Sequence, residues 1–328
     1  MANDAAAAAA IMTIDKYMKG VDDHISDEVV EIYHFMDRKK RFLFNQHGTG
    51  IRWNARVTRG TVEGFAREKR LSVVRKNRNV QARLTNRGYG IGELIHQTDL
   101  WENGTPEKLA DFLDDMLEGM TGDLIDAVGK GFYDDGTDST YGGLGFEGAD
   151  AALITTGSYA GINVATSTAF AGNAVTTSVS PYNTFSSDPL PALDAAITAC
   201  RAGVNGGRSR SAPDVGFMSH DNWNICHQTF LRQMRLPQDV KSLNAGWGDN
   251  FTYRGVTFYP SDYIVNAGKT SYLYLFNSRW LDFRFPSPKF INQYRYDEGV
   301  PKALYVIMLV YGLIRFKQPR TCGRFLLA

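Results

Sequence analysis

The sequence predicts a mixed α+β fold, and three stretches carry that prediction. Residues 105–131 (TPEKLADFLDDMLEGMTGDLIDAVGKG) have the period of one long amphipathic helix. Residues 48–99 alternate like paired strands, and the run ALYVIMLVYGLIRFK that begins at Ala303 has the aromatic and β-branched content of a central strand.

Composition sets the bounds. A chain of 328 residues with 43% hydrophobic and 12% aromatic content can bury a sizeable core, as one large domain or two ordinary ones. The formal net charge is only +1, so any electrostatic partner must be read from local patches rather than from a bulk attraction to nucleic acid or membrane. Cys200, Cys226 and Cys322 lie far apart and make neither a disulfide framework nor a metal-ligand cluster, which fits a reducing compartment. The opening MANDAAAAAAIM has no basic region ahead of its alanine run and does not read as a signal peptide. The most apolar run, Ala303 to Ile314, is 12 residues, short of the roughly 20 that span a bilayer as helix, so no membrane segment is expected.

Residues 1–47 read as an arm. A helix is expected from Asp27 to Phe44, capped by Ser26 or Asp27 and carrying Val29, Ile32, Tyr33, Met36, Phe42 and Phe44. So short an amphipathic piece docks either on its own domain or on a neighbour, and a neighbour is favoured.

From Gly48 the pattern switches to IRWNARVTRG, LSVVRKNR and VQARLTN, punctuated by Gly60, Gly64, Gly88, Gly90 and Gly92, which predicts strand pairs. Between Arg52 and Arg87 stand eleven basic residues against only Glu63 and Glu68. A hairpin so charged, with few large apolar residues near its tip, cannot build a core of its own and needs a surface to lie on. Arg56, Arg59, Arg67, Lys69, Arg70, Arg75, Lys76 and Arg78 are therefore candidate contacts between subunits. The same arginines also suit phosphate binding, so a basic nucleic-acid-binding protein is an alternative.

The helix that follows supplies a counter-surface. Thr105 suits its N-cap and Pro106 its first position. Leu109, Phe112, Leu113, Met116, Leu117, Met120, Leu124, Ile125 and Val128 recur at spacings of three and four, which marks one buried face on a rod about 40 Å long. Asp111, Asp114, Asp115, Glu118, Asp123 and Asp126 fill much of the remainder, either as a solvated face or as the surface that receives the basic ribbon of another copy. Gly119 and Gly122 leave room mid-helix for a bend or for the close approach of another backbone.

FYDDGTDSTYGGLGFEGAD reads as a turn-rich stretch, and its GGLG lacks the pattern of a phosphate loop. Residues 155–187 are polar and rich in Ser, Thr and Ala, as irregular strands and loops are. A regular lobe follows: a helix Pro191 to Ala202 stopped by Gly203, a strand DVGFMS, a helix from His220 capped by Ser219, then strands TYRGVTFYP and SYLYLF.

No catalytic, cofactor or metal residues are expected. Cys226 lies near His220, Asp221 and His227, but it falls on the apolar helix face with Trp223 and Phe230 and reads as core. His220 and His227 do not have the H-E-x-x-H spacing, and His24, His34, His47 and His96 are scattered. The carboxylates of the long helix show no pocket that would set one pKa apart from another for acid–base work.

Taken together, LWENGTPEKLADFLDDMLEGMTGDLIDAVGKGFYDDGT, PDVGFMSHDNWN, FTYRGVTFYPSDYIV and YLYLFNSRWLDFRF resemble the major capsid proteins of tailed bacteriophages with the HK97-like fold. The resemblance covers nearly the whole chain and rests on layout rather than on a catalytic signature. It implies an N-terminal arm (1–47), an extended β-hairpin loop with its flanks (48–98), a peripheral domain (99–150 and 276–314) with a spine helix at 105–131, and an axial domain (151–275 and 315–328). It further implies a structural protein, not an enzyme, without cofactors. Its copies would self-assemble as hexamers and pentamers into an icosahedral shell that encloses packaged double-stranded DNA non-specifically. The subunit would be built in the host cytoplasm, reside in the virion and meet a portal and decoration proteins. With no long region before the arm, a separate scaffolding protein or none is expected. An encapsulin-like nanocompartment shell of the same fold is the alternative within this resemblance.

Overall fold

A computed structural model of the chain describes residues 40–46, 48–57, 79–96, 106–202, 212–233, 250–287, 292–296 and 303–328. The expected arm helix over residues 27–39 and the tip of the hairpin at 58–78 lie outside the described residues.

The described chain begins with β1 (Phe42–Leu43), β2 (Gly50–Arg56), β3 (Asn79–Thr85), β4 (Arg87–His96) and the long helix α1 (Pro106–Tyr133). Then come α2 (Ala149–Ala152), β5 (Ser158–Tyr159), β6 (Ile162–Asn163), β7 (Asn173–Val175), α3 (Pro189–Ala202), β8 (Val215–Met218) and α4 (His220–Gln233). The chain ends with β9 (Phe251–Tyr253), β10 (Val256–Pro260), α5 (Asp262–Asn266), β11 (Tyr272–Phe276), β12 (Leu281–Arg284), β13 (Asn292–Tyr296), β14 (Ala303–Phe316) and β15 (Gly323–Leu326). Two compact units result, one from Met1–Gly48, Asn86–Gly148 and Phe283–Ile314, the other from Thr49–Thr85, Ala149–Asp282 and Arg315–Ala328.

The first unit is a five-stranded sheet with α1 on one face. The order is β1-β12-β14-β13, with β4 also paired to β14. β4 and β14 run antiparallel from Arg87 opposite Gly312 to His96 opposite Ala303. Along β14 the buried residues alternate, with Val306, Met308 and Val310 turned in and Tyr311 out, as a strand covered on one side requires. Leu117, Met120, Leu124, Ile125, Val128 and Phe132 form the buried stripe of α1. Thr121 on the same stripe donates to Leu117 O at 2.7 Å and lies 3.9 Å from Met308 Sδ.

The C-terminal end of α1 is closed by the turn after it. A methyl on Gly148 would meet the carbonyl oxygens of Gly131 and Phe132 at 2.3 and 2.5 Å, so only glycine lets the chain pass this close to the helix end. Asp135 Oδ1 accepts from Thr137 N at 2.9 Å, Asp138 Oδ1 accepts from Thr140 N at 2.8 Å, and Gly136 takes φ 76° between them. Tyr89 from β4 reaches under this turn, its hydroxyl accepting from Phe146 N at 3.2 Å, and burial pushes its pKa up.

One expectation needs correction. The predicted arm helix does not run to Phe44: Phe42 and Leu43 form β1, parallel to Phe283 and Arg284 of β12. Lys40 at φ 50° and Asn45 at φ 58° are left-handed, which a continuing right-handed helix excludes. Phe42 stacks on Phe283 at 4.6 Å between ring centres and lies 5.6 Å from Phe285, so the short strand is fastened by aromatic packing.

The second unit is a six-stranded sheet of order β7-β15-β11-β8-β10-β9. β10 with β8 and β15 with β7 are parallel, the remaining pairs antiparallel. Leu193, Ile197 and Cys200 of α3 and Trp223 and Cys226 of α4 pack with Phe258, Leu273, Leu275 and Phe325 into the core. Ser219 caps α4, its Oγ accepting from Asn222 N at 3.5 Å. The predicted helix at 191–202 starts two residues earlier, at Pro189. The hairpin stem, β2 with β3, belongs to this unit and makes a sheet of only two strands.

Candidate assembly surfaces

The acidic side of α1 follows from its period. With Leu117, Met120, Leu124 and Ile125 inside, Asp115, Glu118, Asp123 and Asp126 are placed outside and are exposed. None of these four forms an ion pair with another described residue. Asp111 and Asp114 lie in α1, and their side chains are outside the described set. Gly119 and Gly122 sit within this ridge, and a methyl on either would meet nothing within 4 Å. α1 passes unbroken through both.

Beside the ridge, a groove of about 500 Å³ lies between α1 and β4. Phe112, Met116, Met120 and Ile91 give it an apolar lining, while Asp115, Asp123 and Glu93 add carboxylates. β4 pairs only with β14, so its outer backbone edge has no strand partner among the described residues. Apolar lining, acidic side chains and an open strand edge together suit a basic, extended partner.

The hairpin stem has two faces because cross-strand partners share a side. Ile51, Trp53 and Ala55 stand opposite Leu84, Ala82 and Val80 on one face, and Arg52, Asn54 and Arg56 stand opposite Arg83, Gln81 and Asn79 on the other. Arg56 is exposed, as are Arg52 and Arg83. An arginine directly across from an arginine is unfavourable unless an anionic partner offsets it. Arg59, Arg67, Lys69, Arg70, Arg75, Lys76 and Arg78 lie outside the described residues.

Two buried ion clusters of the second unit were not anticipated from the sequence. In one, Asp282 is paired with Arg315, and Lys317 Nζ reaches the same carboxylate oxygen at 3.0 Å. Burial alone would raise the pKa of Asp282, but the donors of Arg315 and then Lys317 outweigh it and hold the carboxyl below its ordinary range. The Arg315 guanidinium also lies over the ring of Trp53, 5.6 Å from its centre. In the other, Asp150 receives Lys269 Nζ at 2.8 Å, an Arg324 nitrogen at 2.7 Å and the Tyr274 hydroxyl at 2.8 Å. The signal available in the sequence was a lone charge between apolar strand neighbours, as in LDF and LIRF.

Cys226 is buried among apolar residues, which pushes its thiol up to about 12, and Cys322 is pushed up to about 11. His227 stacks on Trp223 at 4.7 Å, and His220 lies 3.3 Å from Asp262 on the exposed side. Among the described residues no group of three or more His, Cys, Asp or Glu could hold a metal ion, and no helix is long and apolar enough to cross a membrane.

No family model matches the sequence, and none of the curated proteins does. Solved structures do match. The chain is similar to a subunit of the cyanophage A-1(L) capsid asymmetric unit, at a TM-score of 0.61 and 15% identity over 86% of this chain and 89% of that one. It is similar to the capsid of Myoviridae phage XM1, at a TM-score of 0.56 and 13% identity over 90% of this chain and 92% of that one. It is also similar to the capsid of a native GTA particle, at a TM-score of 0.53 and 9% identity over 90% of both chains. With the long α1 under its sheet, the two-stranded stem and the six-stranded second unit, the chain has the HK97-like fold of tailed-phage major capsid proteins.

Proposed function

We propose that this chain is a major capsid protein whose copies assemble as hexamers and pentamers into an icosahedral shell around packaged double-stranded DNA. The observation that carries this reading is that one chain holds both an exposed acidic ridge on α1 and a strongly basic run of sequence between two strands that pair with no third strand among the described residues. The likeness to three capsid structures over most of the chain supports it. Each copy offers both surfaces, so the contact repeats head to tail from subunit to subunit and makes a ring where the rotation between copies closes.

In this reading residues 99–150 and 276–314 form the peripheral domain and residues 151–275 and 315–328 the axial domain. The basic residues from Arg56 to Arg78 lie on the ridge and groove of a neighbouring α1. A portal, and scaffolding or decoration proteins, are the further partners. The shell is built in the host cytoplasm and becomes part of the virion, and the chain acts as structure, not as an enzyme.

Electron microscopy of the purified chain, alone and with a scaffolding partner, tests the reading. Closed particles are expected, and a strictly monomeric protein under every assembly condition counts against it. Reversing the charge at Arg67, Lys69 and Arg70 together is expected to impair particle formation while the subunit stays folded. Single changes are expected to show little, because one exposed ion pair is worth about 0 to 1 kcal/mol.

A further inference from the structure

A ribbon of two strands that pairs with no third strand takes its direction from whatever fastens it to the rest of its unit. The inner face of the stem buries Ala55, Ala82 and Leu84. Such apolar contact is non-directional and lets a ribbon rock or slide. Among the described residues two contacts are directional. Arg83 N donates to the carbonyl of Ala160 at 3.0 Å, and Trp53 lays its ring against Arg315 at 5.6 Å.

Arg315 is held in place for this role. Its side chain and that of Asp282 are each only 4% exposed, and the two are ion-paired, with Lys317 Nζ completing the cluster at 3.0 Å. A guanidinium is planar, so fixing it with a carboxylate also fixes the plane on which an aromatic ring can stack. Asp282 is the last residue of its stretch in this unit and Arg315 the first of the next. Asp282 is also the second residue of β12 and Arg315 the last but one of β14, so the guanidinium is tied to two strands. Lys317 brings a second positive charge to a single carboxylate, and the π-face of Trp53 meets the surplus.

We propose that Trp53, Arg315 and Asp282 are positioning residues that set the direction in which the hairpin leaves the subunit, and through it the curvature of the shell. The part that concerns curvature rests on the shell reading given above. The part that concerns direction does not.

The test uses the full chain with Trp53→Leu, which removes the ring and leaves the buried Asp282–Arg315 pair intact, and Trp53→Phe, which keeps a π-face. Hydrogen exchange is followed in β2 and β3 against β8, β11 and β15, and particle diameters are measured by electron microscopy. Trp53→Leu is expected to speed exchange in the stem by about tenfold with the core strands unchanged, and to spread the particle diameters. Trp53→Phe is expected to restore most of both. Unchanged stem exchange, or a freed stem with particles of one unaltered diameter, overturns the proposal. If the unaltered chain forms no particles at all, the shell reading falls, and the seat of the stem is decided on the exchange rates alone.

Discussion

Tyr274 donates its hydroxyl to Asp150 at 2.8 Å, and the carboxylate it reaches is also held by Lys269 and Arg324. Asp150 belongs to α2, only 6% exposed, while Tyr274 and Arg324 come from neighbouring strands of the six-stranded sheet. Removing the carboxylate leaves two cations and a buried hydroxyl without their partner. Asp150→Ala is therefore expected to cost about 3 to 5 kcal/mol of subunit stability, read from denaturant unfolding of unassembled protein. A loss below about 1 kcal/mol contradicts the assignment of this cluster as a single buried network.

Asp282 gives the subunit a defined response to acid. Its folded pKa lies below the unfolded value, so its stabilisation is present in full above the unfolded value and is lost as pH falls through the folded one. Unfolded Asp titrates at about 3.9, so this contribution is flat through neutral pH and declines only below about pH 4. Asp282→Asn is expected to lower stability at pH 7 and to flatten the decline in acid. Stability curves from pH 2 to 7 for both proteins measure it, and parallel curves refute it.

Glycines on α1 and at its end are expected to respond with opposite sign. Gly148→Ala drives a methyl into the carbonyls of Gly131 and Phe132, so the melting temperature should fall. Gly119→Ala and Gly122→Ala enter open space, so each should stabilise the free subunit by about 1 kcal/mol through helix propensity. Under the shell reading the same two methyls stand where a neighbour's backbone approaches. Assembly, followed by light scattering, should then slow even as the subunit becomes more stable.

Reversing Asp115, Glu118, Asp123 and Asp126 to lysine is expected to leave the monomer's circular dichroism unchanged and to block assembly. Combining it with acidic replacements at Arg67, Lys69 and Arg70 should restore part of the particle yield. Recovery by the double reversal separates a specific contact from a general effect of net charge, and no recovery at any salt concentration speaks against the pairing.

Local signals reached far in this chain. The rod of α1 was legible because a period of three and four residues is a property of contiguous sequence, as α4 was, and β14 was legible from the aromatic and β-branched content of one unbroken run. β1 was not, because Phe42 is drawn out of a helical pattern by Phe283, a residue near the other end of the chain. Asp282 and Arg315 were passed over because an apolar strand reads the same with or without one charge in it, and only the fold brings the two together. Trp53 was seen as one residue of an alternating strand, and its partner lies beyond the reach of any sequence window.

The bare edge of β4 has a bearing on how such a protein must be handled by the cell that makes it. Ten consecutive residues without a strand partner on their outer side among the described residues, three of them glycine and none of them lysine or proline, form a template on which another chain can hydrogen-bond at random. Under the shell reading every freshly made copy carries this liability until a neighbour occupies the site. Synthesis that outruns shell closure should therefore yield insoluble filaments and not a reservoir of spare monomers.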